Sequence, residues 1–148
     1  MKKQDEEEKW KKILNIPFLR GDLVASRRTT PIRLKGTPLS RLVKRNEIFI
    51  VLGIEGNRVR ISDGETLLAE EKDLRTVKRK EREVELSCDT ELLNLDTEEY
   101  QLFSKGTKFK IKAEKEGLYF LSKGDSYYIT QIGFLRVKEN EKDKGTRK

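Results

Sequence analysis

The chain has 148 residues, 34% of them hydrophobic and 40% charged, with a formal net charge of +7. That length suits one domain or two very small ones, and the composition allows only modest cores beneath a densely charged surface. No apolar run approaches the roughly 18–20 residues of a membrane-spanning helix. With no histidine in the chain, Ser-His-Asp and Cys-His catalytic arrangements and mixed histidine metal sites are excluded together.

The charge is unevenly divided. Residues 1–80 carry 20 Lys and Arg against 12 Asp and Glu, a net +8, and residues 81–148 carry 13 against 14, a net −1. Eight arginines fall between Arg20 and Arg60. The single cysteine, Cys88, excludes an internal disulfide, and its setting in VELSCDTELL reads as that of a small buried apolar residue. The opening MKKQDEEEKWKKILN puts charges where a secretory signal needs an apolar core. With Met1 as the native start the expected location is the cytoplasm; a leader or anchor upstream would place the protein in the cell envelope.

Residues 4–15 read as a short helix. Trp10, Ile13 and Leu14 follow helical spacing, acidic residues lie near its start and Lys11-Lys12 near its end, and Pro17 stops it. Trp10 then packs the helix on the β structure that follows, or anchors it to a partner helix or membrane surface. From residue 22 the pattern changes to short strands: Leu23-Val24-Ala25, Ile32-Arg33-Leu34, a loop through Gly36-Thr37-Pro38, a hairpin spanning residues 47–61 with its turn at Glu55-Gly56, Leu67-Leu68-Ala69, and residues 74–77. Residues 78–83 form a charged connector.

Residues 84–137 repeat that plan. Val84-Glu85-Leu86 corresponds to the first strand and Leu93-Asn94-Leu95 to Ile32-Arg33-Leu34. The turn Lys105-Gly106-Thr107 leads into Phe109, Ile111 and Ala113 alternating with lysines. Glu116-Gly117 turns the chain back, Tyr127-Tyr128-Ile129 corresponds to Leu67-Leu68-Ala69, and residues 134–137 close the unit. The copies lie about 60 residues apart with an indel of one. Residues 138–148 are almost free of apolar side chains and are expected to be disordered. The domain plan is therefore a helix and linker over 1–21, a β unit over 22–77, the connector, a second β unit over 84–137, and the tail.

The hairpin with its Lys-Gly-Thr opening, Gly117, Tyr119 and the closing Leu135-Arg136-Val137 resembles bacterial SH3 (SH3b) domains, as do Ile32-Arg33, Gly36, Pro38 and Gly56 in the first copy. The resemblance implies a mainly β fold of two tandem small SH3-like barrels and a non-catalytic targeting or interaction role. The tryptophan that the family carries after the turn glycine is missing from both copies.

Catalytic chemistry is not in evidence. There is no phosphate-cradling Gly-Lys-Ser/Thr loop or dinucleotide fingerprint. Asp89-Thr90 and Asp96-Thr97 lack the glycine of an aspartic dyad, and Glu70-Glu71 and Glu98-Glu99 read as solvated faces. No enzyme, cofactor or metal is expected. Two sets of binding residues stand out. Arg27, Arg28, Arg33, Arg58 and Arg60 offer guanidinium groups suited to phosphate or carboxylate, or else form a salt-bridged surface with Glu47, Glu55 and Asp63. Tyr119, Tyr127 and Tyr128 supply rings for an extended peptide ligand or for the core, with one of the adjacent pair facing inward and the other outward. The expectation is a tandem SH3b-like binding or scaffold module for a protein or cell-envelope polymer. The alternative is an SH3-like nucleic-acid binder using the arginine face of the first unit.

Overall fold

The computed structural model describes residues 18–131 and 135–139. The helix expected over residues 4–15, with Trp10, lies outside the described residues, as do Phe134 and most of the charged tail. What is described is antiparallel β structure in two seven-stranded sheets, and the chain divides between Lys78 and Arg79 into two units.

The first unit contains β1 (Leu23–Ser26), β2 (Thr30–Leu34), β3 (Ser40–Val43), β4 (Ile48–Glu55), β5 (Arg58–Ser62), β6 (Thr66–Ala69) and, after a 3-10 turn at Glu71–Asp73, β7 (Leu74–Val77). Their order across the sheet is β3-β2-β6-β5-β4-β1-β7. Three connections each join strands four places apart: β1 to β2, β3 to β4, and β6 to β7. In a flat sheet four spacings are roughly 19 Å. Between Ser26 and Thr30 the chain has only four Cα–Cα steps, a reach of at most about 14 Å. The sheet must therefore bend back on itself.

The bend is built into β4. Its first half pairs with β1, its second half with β5, and a bulge between Val51 and Gly53 separates the longer run of pairing into two stretches. A bulge bends and twists the strand that carries it. The Leu52 carbonyl at the bulge accepts a hydrogen bond from Arg20 Nη1 at 2.9 Å. Folding the sheet over brings side chains from all seven strands into one core, including Val24, Ile32, Val43, Phe49, Ile61, Leu67 and Leu74.

The second unit contains β8 (Arg82–Leu86), β9 (Thr90–Asn94), β10 (Glu99–Phe103), β11 (Lys108–Lys115), β12 (Leu118–Lys123), β13 (Ser126–Gln131) and β14 (Val137–Glu139), in the order β10-β9-β13-β12-β11-β8-β14. This is the strand order of the first unit shifted by seven. The register repeats at an offset of 60: Val24 faces Phe49 and Val84 faces Phe109, Thr30 faces Val43 and Thr90 faces Phe103, and the bulge recurs between Ile111 and Ala113. The turns into β4 and β11 match as well. Asn46 N donates to Ser26 O and Gly106 N to Leu86 O, both at 2.8 Å. Both residues have positive φ, 73° and 93°, a conformation that asparagine and glycine adopt with least strain.

Several expectations from the sequence are corrected by these registers. Ile32 corresponds to Leu92, not Leu93, because β2 and β9 begin at Thr30 and Thr90. Leu67 corresponds to Tyr128, one place on from the expected match, because one more residue lies between the paired Leu121 and Tyr128 than between the paired Ile61 and Leu67. The hairpin turns also differ: Gly56-Asn57 joins β4 to β5, with positive φ only at Gly56, whereas Glu116-Gly117 joins β11 to β12 with positive φ at both. Arg82 and Glu83, expected in the connector, are already paired in β8 with Ile111 and Lys110. Cys88, expected to be buried, is exposed in the β8–β9 turn. Finally, neither sheet closes into the expected barrel among the described residues. β3 and β7 are the edges of the first sheet, and β10 and β14 those of the second.

The outer strand of each hairpin is fixed over its sheet by different chemistry. In the first unit Arg41, on β3, reaches across the fold. Its Nη1 and Nη2 lie 3.0 and 2.8 Å from the two Asp63 carboxylate oxygens, and Nη2 lies 2.7 Å from Glu47 Oε2. Its Cζ stands 5.4 Å from the centroid of the Phe49 ring, on a strand four places away in the sheet. The hydrogen bond to Asp63 holds the guanidinium protonated more firmly than usual, with burial working in the opposite sense. The corresponding residue in the second unit is Gln101, which accepts from Asn94 Nδ2 at 2.7 Å. There, Phe103 on β10 packs edge-on against Phe109 and Tyr128, each 5.1 Å away between centroids.

Arg41→Gln is expected to destabilise the protein by about 2–3 kcal/mol, because the Asp63 and Glu47 carboxylates, largely shielded from water, lose their cation. Glu65→Gln, at the exposed end of the same cluster, should change stability by less than about 0.5 kcal/mol. Urea unfolding of the two variants measures the difference.

Candidate functional site

The three tyrosines do not form a surface groove. Tyr127 and Tyr128 are both buried, at 7% and 5% exposure, so neither ring of the adjacent pair faces solvent. Tyr128 belongs to the second core beside Phe103 and Phe109, and Tyr119 is half-buried against the same core. The exposed tyrosine is Tyr100, at 68%.

The five arginines fall into two groups. Arg27 and Arg28, in the β1–β2 turn, both reach toward the start of β7: Arg27 Nε donates to Leu74 O at 2.8 Å, and Arg28 Nε lies 3.0 Å from Asp73 Oδ1. Arg33, Arg58 and Arg60 lie elsewhere, on one outer face of the first sheet. Leu68 of β6 is the register partner of both Arg33 and Arg60, so the two arginines flank it, and Arg58 sits two residues from Arg60 on the same face. The Arg60 guanidinium lies against Gly53, where a Cβ would come within 3.1 Å of Nη2. Glu55 Oε1 stands 3.4 Å from Lys35 Nζ and 3.5 Å from Arg60 Nη1. Among the described residues no carboxylate pairs with Arg33 or Arg58. Of the carboxylates weighed as partners from the sequence, Glu55 pairs with Arg60, whereas Glu47 and Asp63 pair with Arg41, and Arg28 pairs with Asp73.

At the same positions of the second sheet the chemistry is reversed. Leu93, Ile129 and Phe120 stand where Arg33, Leu68 and Arg60 stand in the first, and Phe120 is fully buried. The arginine face is thus a property of the first unit alone.

A second feature is common to both units. Among the described residues the exposed large hydrophobics are Leu39 (63%), Leu42 (62%), Tyr100 (68%) and Leu102 (68%). All belong to the edge hairpins. Leu42 on β3 and Leu102 on β10 occupy equivalent positions, opposite Pro31 and Glu91 respectively. Tyr100 is on the same face as Leu102, opposite Leu93. Among the described residues each strand ends its sheet, so one side of its backbone has no strand neighbour there. Apolar side chains on an uncovered strand edge are a ready contact for another chain.

The sequence contained a signal for these residues, the alternation of Tyr100, Leu102 and the intervening Gln101 after Glu99. In the first unit the loop signal of Gly36-Thr37-Pro38 hides β3, which begins two residues later at Ser40. No three or more of the Cys, Asp and Glu side chains come together as a metal site among the described residues, and no helix of the described residues is long and apolar enough to cross a membrane. No family model matches the chain, nor does any curated protein or solved structure.

Proposed function

We propose that the chain is a non-catalytic protein-interaction module, built as two SH3-like units in tandem and reading its partner at the outer strands β3 and β10. The observation that carries this reading is the placement of Leu42 and Leu102. Two units with different side chains nonetheless leave an apolar residue exposed at the same point of the same edge strand. An extended segment added there would pair with the free backbone edge and cover the leucine, the usual logic of strand addition. The repeated register, the folded-over sheets and the short crossings support the SH3-like description.

The test is selection of extended peptides from a displayed random library on the wild-type protein. Binding of the selected peptides is expected to weaken at least about tenfold, roughly 1.4 kcal/mol, on Leu42→Asp or Leu102→Lys, with the circular dichroism spectrum unchanged. Peptides indifferent to both substitutions would contradict the reading.

A second reading, nucleic-acid binding, is favoured by one observation: Arg33, Lys35, Arg58 and Arg60 gather around Leu68 and Glu55 on one face. It predicts that labelled RNA or DNA oligomers bind at low salt, that affinity falls steeply as salt rises, and that Arg58→Glu with Arg60→Glu abolishes binding. Binding that is undetectable, or that ignores salt, removes this reading. Phe49, the first unit's candidate for stacking on a base, is wholly buried and gives this face no ring.

A further inference from the structure

The two edge hairpins share a backbone and oppose one another in charge. The β2–β3 hairpin and its flanks, residues 27–45, carry seven Lys and Arg and no Asp or Glu; the equivalent residues 87–105 carry five Asp and Glu and one Lys. These are net charges of +7 and −4 on segments that superpose in register. Some of the positive charge is answered within the first unit, through Arg28 to Asp73, Arg41 to Asp63, Glu47 and Glu65, and Lys35 to Glu55. Arg33, Lys44 and Arg45 remain exposed on this hairpin and have no ion pair among the described residues. On the other hairpin Glu91 and Glu99 are exposed and likewise without an ion pair. Glu91 is the cross-strand neighbour of Leu102, and Arg33 is that of Ser40, two residues from Leu42.

We propose that the partner read at these edges is a second copy of this chain, with β3 of one copy docking on β10 of the next. This rests on the interaction-module reading above and names its partner. Each contact brings an apolar edge to an apolar edge, Leu39 and Leu42 against Tyr100 and Leu102, inside a rim of opposite charge. Pairing of like hairpins is opposed by repulsion, basic against basic or acidic against acidic, so the charges select the unlike pair. β10 also lacks the lysine or proline with which solitary edge strands are commonly protected. Each contact joins unlike edges, so two copies that exchange both edges form a closed dimer, and copies that share one edge at a time form a ring or a filament.

Sedimentation velocity of the full chain tests this. The wild-type protein is expected to associate as concentration rises, with a dissociation constant that increases at least about tenfold from low to moderate salt. Leu42→Asp sets an acid against the acidic hairpin, and Leu102→Lys sets a base against the basic one. Each variant alone should be monomeric, and an equimolar mixture should regain association, because each supplies the edge that the other has lost. Both positions are exposed, and circular dichroism and thermal unfolding establish that each variant is folded. A wild-type protein that stays monomeric at low salt overturns the proposal, and so does either variant that associates by itself as the wild type does. A monomeric wild type whose selected peptides still depend on Leu102 overturns self-association and leaves the interaction-module reading in place. Selected peptides indifferent to both edges overturn that reading independently of the sedimentation result.

Discussion

Short connections impose the shape of each sheet, three in the first unit and two, β8 to β9 and β10 to β11, in the second. A turn of three or four residues cannot link strands four places apart across a flat surface, so the sheet bends until the ends of β3 and β4, or of β10 and β11, are neighbours. The bulges at Leu52 and Lys112 supply the bend at the same place in the two long strands. Everything else follows from this folding over. It creates an inside for Phe49 and Phe109, and it leaves an outer hairpin whose last strand is both anchored and uncovered.

Holding that hairpin down is a separate problem, and the two units solve it differently. Arg41 spans the fold with a paired hydrogen bond to Asp63, a contact to Glu47 and a position over Phe49. A guanidinium suits this place because it offers several donors in one plane and stacks on a ring. In the second unit the anchor is apolar: Phe103 replaces Val43, Tyr128 replaces Leu67, and the three rings of Phe103, Phe109 and Tyr128 meet edge to face. The ionic solution leaves the first hairpin rich in arginine and lysine. With the aromatic solution, the polar positions of the second hairpin need no cations, and they are filled by acids.

Much of the fold is legible in the sequence because the β4–β5 and β11–β12 hairpins show clear period-two alternation and glycine at the turn. The duplication at about 60 residues is legible for the same reason. What the sequence hides is β3 and β10. Alternation marks a strand when apolar residues point to a core, but Leu42, Tyr100 and Leu102 point away from it, and the inward positions hold Arg41 and Gln101. The tyrosines mislead in a related way. A Tyr-Tyr pair on a strand should split between two faces, and it does, but both faces of β13 are covered at that point. Of the arginines, the alternation of Arg58 and Arg60 with Val59 and Ile61 does place both on the outer face, and only the cross-strand register reveals that Arg33 joins them. In the sequence Arg41 is one of eight arginines between Arg20 and Arg60 with nothing to single it out, since its partners are up to 24 residues away.

The account depends most on β3 and β10 being true edges, anchored on one side and open on the other. Backbone hydrogen exchange on dilute protein, read residue by residue, tests this directly. Along Ser40–Val43 and Glu99–Phe103, amides bonded to β2 or β9 should be protected and alternate amides should exchange at least about tenfold faster, while β4 and β11, flanked on both sides, remain protected throughout. Uniform protection of β3 and β10 in the dilute monomer would mean that their outer sides are already paired, and would contradict the account.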